Sequence, residues 1–319
     1  MWHSGNATRR RLAPDLGVCQ PEVLTPRSAP GRLTTGDTMG HTCFDVSVTD
    51  KVAHLQLCRP DEMNTMIPAF WMELPQIVRE LDAEGTTRAI VISSTGKHFS
   101  AGMDLSVFTG GAATTLVGGS AEMGRVRANL RLTAQMLQDS FTALEVARMP
   151  VLCAIQGGCV GGAVDMVTAA DMRYCTADAF FVIQEINIGM TADVGTLQRL
   201  PKVIPDGVAR ELAYTGRRMP AARAKEVGLV NEVYESQEAM LTDVMAIARE
   251  IASKSPLAVW GSKEMLTYAR DHSVADGLNH IATWQTGMFQ PADMMEAFAA
   301  KAEKRDAVYD DLLPLPDGF

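Results

Sequence analysis

From Phe44 to Leu57 the run FDVSVTDKVAHLQL alternates apolar and polar residues. A period of two sends neighbouring side chains to opposite faces, so this pattern predicts strands. Thr49-Asp50-Lys51 interrupts it, giving two short strands joined by a turn, and Arg59-Pro60-Asp61-Glu62 ends the second. The spacing then becomes helical: Met66, Phe70, Leu74, Ile77 and Leu81 share one face, with Pro68 and Pro75 expected to perturb the helix. Thr87 to Ser94 (TRAIVISS) and Val151 to Ile155 are apolar enough to predict central strands. Between them, residues 110–123 (GGAATTLVGGSAEM) are expected to form a mobile loop over a cleft, and Arg125 to Ala147 a helix that ends before Pro150. Short strands are also expected at Met172 to Cys175 and Ala179 to Ile183, and a helix start at Thr196 to Leu200 that Pro201 should break. Downstream the pattern is helical at Gly207 to Thr215, Ala221 to Val227, Gln237 to Ser253, Pro256 to Arg270, Val274 to Phe289 and Pro291 to Lys304. The last two carry Trp284, Met288, Met294, Met295 and Phe298, an apolar face expected to pack within or between subunits. Homo-oligomerisation is the expectation.

Two glycine-rich turns stand out from this frame. Gly96 to Asp104 leaves the end of a central strand, where open sheets place ligands, and Gly102 permits backbone geometry that other residues resist. The backbone N–H of Met103 is therefore a candidate oxyanion donor, the plainer reading being a tight turn. Gly157 to Asp165 forms a strand-to-helix junction with neither the dinucleotide spacing nor a GKS or GKT ending. Its glycines would let a thioester approach backbone amides closely. Asp165, Glu185 and Asp193 follow at separations of 20 and 8 among glycines and apolar residues. Acids in such company are paired, protonated or used. They meet only if the chain folds back twice. His98, beside the first turn, reads as a loop histidine rather than a base, and no GxSxG elbow supports a Ser-His-Asp triad.

Composition narrows the class. The 319 residues are 47% apolar and 21% charged, with a formal net charge of -9, which speaks against nucleic-acid binding. Six cysteines (Cys19, Cys43, Cys58, Cys153, Cys159 and Cys175) show no CxxC or metal spacing and read as buried thiols of a reducing compartment. No metal site, no membrane-spanning run and no secretory signal is expected. Residues 1–40, with Arg9, Arg10, Arg11, Arg27 and Arg32, are expected to be a flexible extension, either a targeting segment or the product of an upstream start.

Phe99-Ser100-Ala101-Gly102-Met103-Asp104, Gly157 through Asp165, and Asp171-Met172-Arg173-Tyr174 resemble the enoyl-CoA hydratase/isomerase (crotonase) superfamily. Asp178 through Glu185 and Ala192 through Ile204 are more narrowly similar to the delta(3,5)-delta(2,4)-dienoyl-CoA isomerases, a likeness continued at Ser253 to Pro256 and Tyr268 to Val274. The resemblance implies an α/β fold, a spiral of repeated beta-beta-alpha units over 41–235, and a helical trimerisation region at 236–319, as a trimer or a dimer of trimers. It implies an acyl-CoA substrate and no separate cofactor. It places oxyanion-hole amides at Met103 and Gly162, with Ala101, Gly102, Asp104 and Gly161 around the substrate. Glu185 would take a proton from C2 of a 3,5-dienoyl-CoA and Asp193 would protonate C6. Asp165 would position or polarise that pair. Arg59, Lys97, Lys263 and Lys301 are the candidates for the CoA phosphates. The alternatives are a 2-trans-enoyl-CoA hydratase, in which Asp165 and Glu185 handle water, and a non-catalytic scaffold. The implied compartment is mitochondrial if residues 1–40 are a transit segment and cytoplasmic for a bacterial chain; the ending Asp317-Gly318-Phe319 does not match an SKL-like peroxisomal signal.

Overall fold

The computed structural model describes residues 40–104, 107, 122–289 and 291–316. The expected extension at 1–40, apart from Gly40, and residues 110–121 of the loop expected at 110–123 lie outside them, while Glu122 and Met123 cap and open a helix. The predicted hairpin is present: β1 (Phe44–Thr49) and β2 (Val52–Leu57) pair antiparallel, with Phe44 opposite Leu57. Asp50 and Lys51 both adopt positive φ, 52° and 63°, the conformation a two-residue hairpin turn needs.

Helix α1 (Pro68–Glu84) begins at Pro68, whose missing N–H costs nothing at a first turn. Pro75 lies inside the helix and does not end it. The carbonyl it leaves without a partner, that of Trp71, accepts a hydrogen bond from Ser140 Oγ at 2.9 Å. Ser140 belongs to α2 (Met123–Val146), which packs along α1. A tertiary hydroxyl thus replaces a lost helical bond. The chain continues through β3 (Ala89–Ser94), β4 (Val151–Ile155), β5 (Gly158–Val160), α3 (Gly162–Ala169), β6 (Met172–Thr176) and β7 (Phe180–Val182). Next come α4 (Thr196–Val203), α5 (Asp206–Thr215), β8 (Met219–Pro220), α6 (Ala221–Glu226) and β9 (Glu232–Tyr234). Pro201 was expected to stop α4, yet the helix runs on to Val203 because packing against α3 and α5 offsets one missing bond.

One sheet has six strands in the order β1-β2-β3-β4-β6-β9, parallel from β2 onward. A second has the order β5-β7-β8. The four-residue apolar centres of the middle strands are buried on both faces, as parallel sheets require. One of those faces is covered by α7 (Gln237–Ala252). Its Met240, Val244, Ala248 and Ala252 pack on Val52, Val91, Leu152 and Ala154. The helix just after the boundary expected at 236, α7, thus packs on the core, and it is followed by α8 (Pro256–Ala269), α9 (Val274–Met288) and α10 (Pro291–Glu303). Among the described residues no helix is long and apolar enough to cross a membrane.

Lys263 joins α8 to the body of the protein. Its side chain is only 6% exposed, with Nζ donating to the carbonyls of Leu144 (2.9 Å) and Met149 (3.0 Å) and pairing with Asp171 at 2.9 Å. This corrects its assignment to a CoA phosphate, since all three donor positions are committed inside the protein. Lys263→Met should lower unfolding free energy in a denaturant titration by about 2 kcal/mol, because it leaves two buried carbonyls without a donor, while Asp171 keeps the Val151 N–H. A loss below about 1 kcal/mol would show that water reaches the site.

Candidate active site

The two glycine-rich segments are zipped together by backbone bonds. Ser100 N–H donates to Gly158 O and Val160 N–H to Ser100 O, both at 3.1 Å, while Gly102 O accepts from Met66 N–H at 2.8 Å. Gly102 has φ 83°, and a Cβ on it would lie 2.5 Å from Val160 O. No other residue fits there. The close approach aims two amides at one space: a Cβ on Gly162 would sit 3.9 Å from Met103 N. Among the described residues, no acceptor engages the N–H of Met103 or of Gly162. The Gly162 amide is also free by position, since the first N–H groups of a helix have no intrahelical partner.

Three elements bring the acids to one cavity of about 980 Å³, lined also by Ala101, Met103, Gly161 and Gly162. Asp165 comes from the first turn of α3 and is 1% exposed; its Oδ1 accepts Thr196 N–H at 2.6 Å, and its Oδ2 has no partner among the described residues. Burial pushes its carboxyl up to about 6, opposed by the bonds from Thr196 and reinforced by the charge of Asp193. Glu185 opens the 3-10 turn Glu185–Ile188 directly after β7. Burial, then the charges of Asp165 and Asp193, pushes it up to about 7. Gly161, at φ 55°, makes room for it: a Cβ there would lie 3.2 Å from Glu185 Oε1. Asp193 is exposed, and Gln138 Nε2 holds its backbone carbonyl at 2.8 Å. The rest of the wall is largely apolar, including Trp71, Met72, Met136, Leu137 and Val194.

The other candidates fall differently. Gly102 and Asp104 do not line the cavity. Asp104 instead secures the turn, its N–H donating to Met66 O at 3.2 Å and its Oδ2 accepting from Thr65 Oγ1 at 3.0 Å. Arg59 spends Nη1 on Thr65 O at 2.9 Å. Lys97 and Lys301 are exposed and lie outside the cavity lining. His98 lines the cavity and has a partner after all: its Nδ1 accepts Gly158 N–H at 2.9 Å, tying the two glycine turns together. Thr196 and Gln138 were given no functional role from the sequence, because one acts through its backbone amide and the other onto a backbone carbonyl.

Holding Glu185 near 7 has a cost at high pH. Its ordinary value is 4.5, so between pH 4.5 and about 7 the folded protein binds more protons than the unfolded chain, and stability falls as pH rises through that window. Glu185→Gln should therefore be more stable than the unaltered protein at pH 8, by about 2 kcal/mol, and no more stable below pH 4.5. Calorimetric scans at the two pH values check this; an equal gain at both would mean that packing, not ionisation, is responsible.

The family model described as Enoyl-CoA hydratase/isomerase matches residues 47–312. The chain is 44% identical over 270 residues to the mitochondrial Delta(3,5)-Delta(2,4)-dienoyl-CoA isomerase of Mus musculus, covering 83% of this chain and 82% of the relative. It is 41% identical to the peroxisomal Delta(3,5)-Delta(2,4)-dienoyl-CoA isomerase of Arabidopsis thaliana, over 80% of this chain and 91% of that one. Among solved structures, a putative enoyl-CoA hydratase from Streptomyces coelicolor superposes with a TM-score of 0.76 at 26% identity, covering 88% of this chain and 99% of its own.

Proposed function

Because this chain belongs to the enoyl-CoA hydratase/isomerase family and is a crotonase-fold isomerase, we propose that it converts 3,5-dienoyl-CoA to 2,4-dienoyl-CoA. The observation that carries this reading is the presence of three carboxylates, Asp165, Glu185 and Asp193, on one largely apolar cavity that also receives the amides of Met103 and Gly162.

In the proposed reaction the thioester oxygen sits between those two amides. Glu185 removes a proton from C2; the freed pair forms C2=C3, the C3=C4 pair shifts to C4=C5, and the C5=C6 pair takes a proton at C6 from Asp193. One C–H bond breaks and one forms, so the product is an isomer. Negative charge grows on the thioester oxygen along the way, where two fixed N–H dipoles stabilise it without reorganising. A base pushed up to about 7 is well matched to neutral pH, being stronger than an ordinary carboxylate. Asp165, bound to Thr196 N–H, raises the proton affinity of Glu185 by its charge and need not exchange a proton. The chemistry takes no cofactor, since the CoA thioester is the substrate. The helices from α8 onward are proposed to form the contact between copies, through exposed residues such as Leu278, Met295 and Phe298.

The test is the ultraviolet absorbance of the conjugated 2,4-dienoyl-CoA formed from 3,5-octadienoyl-CoA. Turnover supports the isomerase; no diene but hydration of crotonyl-CoA would replace it with a 2-trans-enoyl-CoA hydratase. Tight CoA binding with neither reaction would point to a non-catalytic role.

A further inference from the structure

Behind the cavity, and no part of its lining, lies a charged triad. Glu145 of α2 pairs through Oε2 with Arg199 of α4, at 3.0 Å to Nη2 and 3.3 Å to Nε, and through Oε1 with Arg270. The Arg199 and Glu145 side chains are 12% and 13% exposed. Arg199 also donates to Thr142 Oγ1 at 3.2 Å and to Val194 O at 3.5 Å. A Cβ on Gly195 would lie 2.0 Å from Arg199 Nη1, so the guanidinium fills the space that a side chain would need.

Gln138, Thr142 and Glu145 stand at i, i+4 and i+7 on one face of α2. Directly or through Arg199, that face grips three consecutive residues: Asp193 by its carbonyl, Val194 by its carbonyl, and Gly195 by contact. The next residue, Thr196, donates its N–H to Asp165. Arg270 is also paired through Nε with Asp271 at 3.3 Å, so the cation left to Glu145 alone is Arg199.

We propose that the Arg270–Glu145–Arg199 triad is a positioning unit for the acids: it fixes the segment 193–196 and holds the Arg199 guanidinium on the α4 side of Asp165. The inference rests on the acid chemistry proposed above. Asp165 is faced by Thr196 and Arg199 from α4, by Asp193 and Glu185 across the cavity, and by the buried Cys159 thiol of β5. Arg199 lowers the proton affinity of Asp165, opposing its burial and the charge of Asp193.

Charge changes at two ends of one ion pair should then act in opposite directions. Arg199→Met removes a cation, so the acidic limb of kcat against pH should move up by about half a unit to one unit. Its kcat at neutral pH should fall about 10-fold to 100-fold with KM within threefold, the pattern of misplaced rather than unbound substrate. Arg199→Lys should return the limb but only part of kcat, since an ammonium cannot bridge as a guanidinium does. Glu145→Gln leaves Arg199 without its carboxylate, while Arg270 keeps Asp271, and should move the limb down. Proton uptake on binding octanoyl-CoA, followed by calorimetry in buffers of different ionisation enthalpy, reads the same titration without turnover. Opposite shifts support the proposal. Shifts of the same sign, or none, overturn it and leave the triad a structural brace; if Arg199→Met does not fold, Glu145→Gln decides alone by the sign of its shift. An unaltered protein that hydrates crotonyl-CoA but makes no diene would sink the isomerase reading, while opposite shifts measured on hydration would keep the triad.

Discussion

Glu185→Gln should reduce kcat for diene formation by about 10³-fold or more, at the upper part of the range for loss of general base catalysis. The amide has the shape of the carboxylate and keeps the 3-10 turn after β7, but it cannot accept the C2 proton. What survives should come from the amides of Met103 and Gly162, which still polarise the thioester, so turnover should stay above that of free solution. The increased stability expected for this variant at pH 8 separates lost chemistry from lost fold. A variant within tenfold of the unaltered rate would remove Glu185 from the role of base.

Asp193→Asn should lower diene formation by about 10²-fold, through loss of the proton that C6 must receive. The two acids leave different signatures. With Glu185 intact, proton abstraction at C2 continues, so substrate held with the Asp193 variant in deuterium oxide should exchange its C2 hydrogens while the diene absorbance barely grows. The Glu185 variant should show neither. Exchange kept in the Glu185 variant and lost in the Asp193 variant would mean that Asp193, not Glu185, starts the reaction. Unchanged diene formation in the Asp193 variant would make that residue a bystander.

The Met103 and Gly162 amides illustrate how far a local pattern reaches. Glycine clusters at the ends of strands announce close backbone approach, and the structure brings the two clusters together at the positions their glycines imply. The basic candidates illustrate the opposite. Arg59, Lys97, Lys263 and Lys301 look alike in sequence, yet Lys263 is buried against Asp171 and two carbonyls while Lys97 and Lys301 face solvent. A lysine carries no mark of which environment it will meet. Arg199 was passed over for the same reason.

By itself, the sequence determined what depends on neighbours along the chain: the hairpin at Asp50-Lys51, the apolar central strands, the buried face of α1 and the glycine turns. Residue type and period encode these because the forces that select them act within a few residues. Only the tertiary structure decided that α7 belongs to the core, that Ser140 completes a helix interrupted by Pro75, and that α2 grips the segment bearing Asp193. The bonds from Glu145 to Arg199 and Arg270 join residues 54 and 125 positions apart. No local period records such a meeting: it follows from how the sheets and helices close on one another, and that closure sets the burial and charge felt by Asp165 and Glu185.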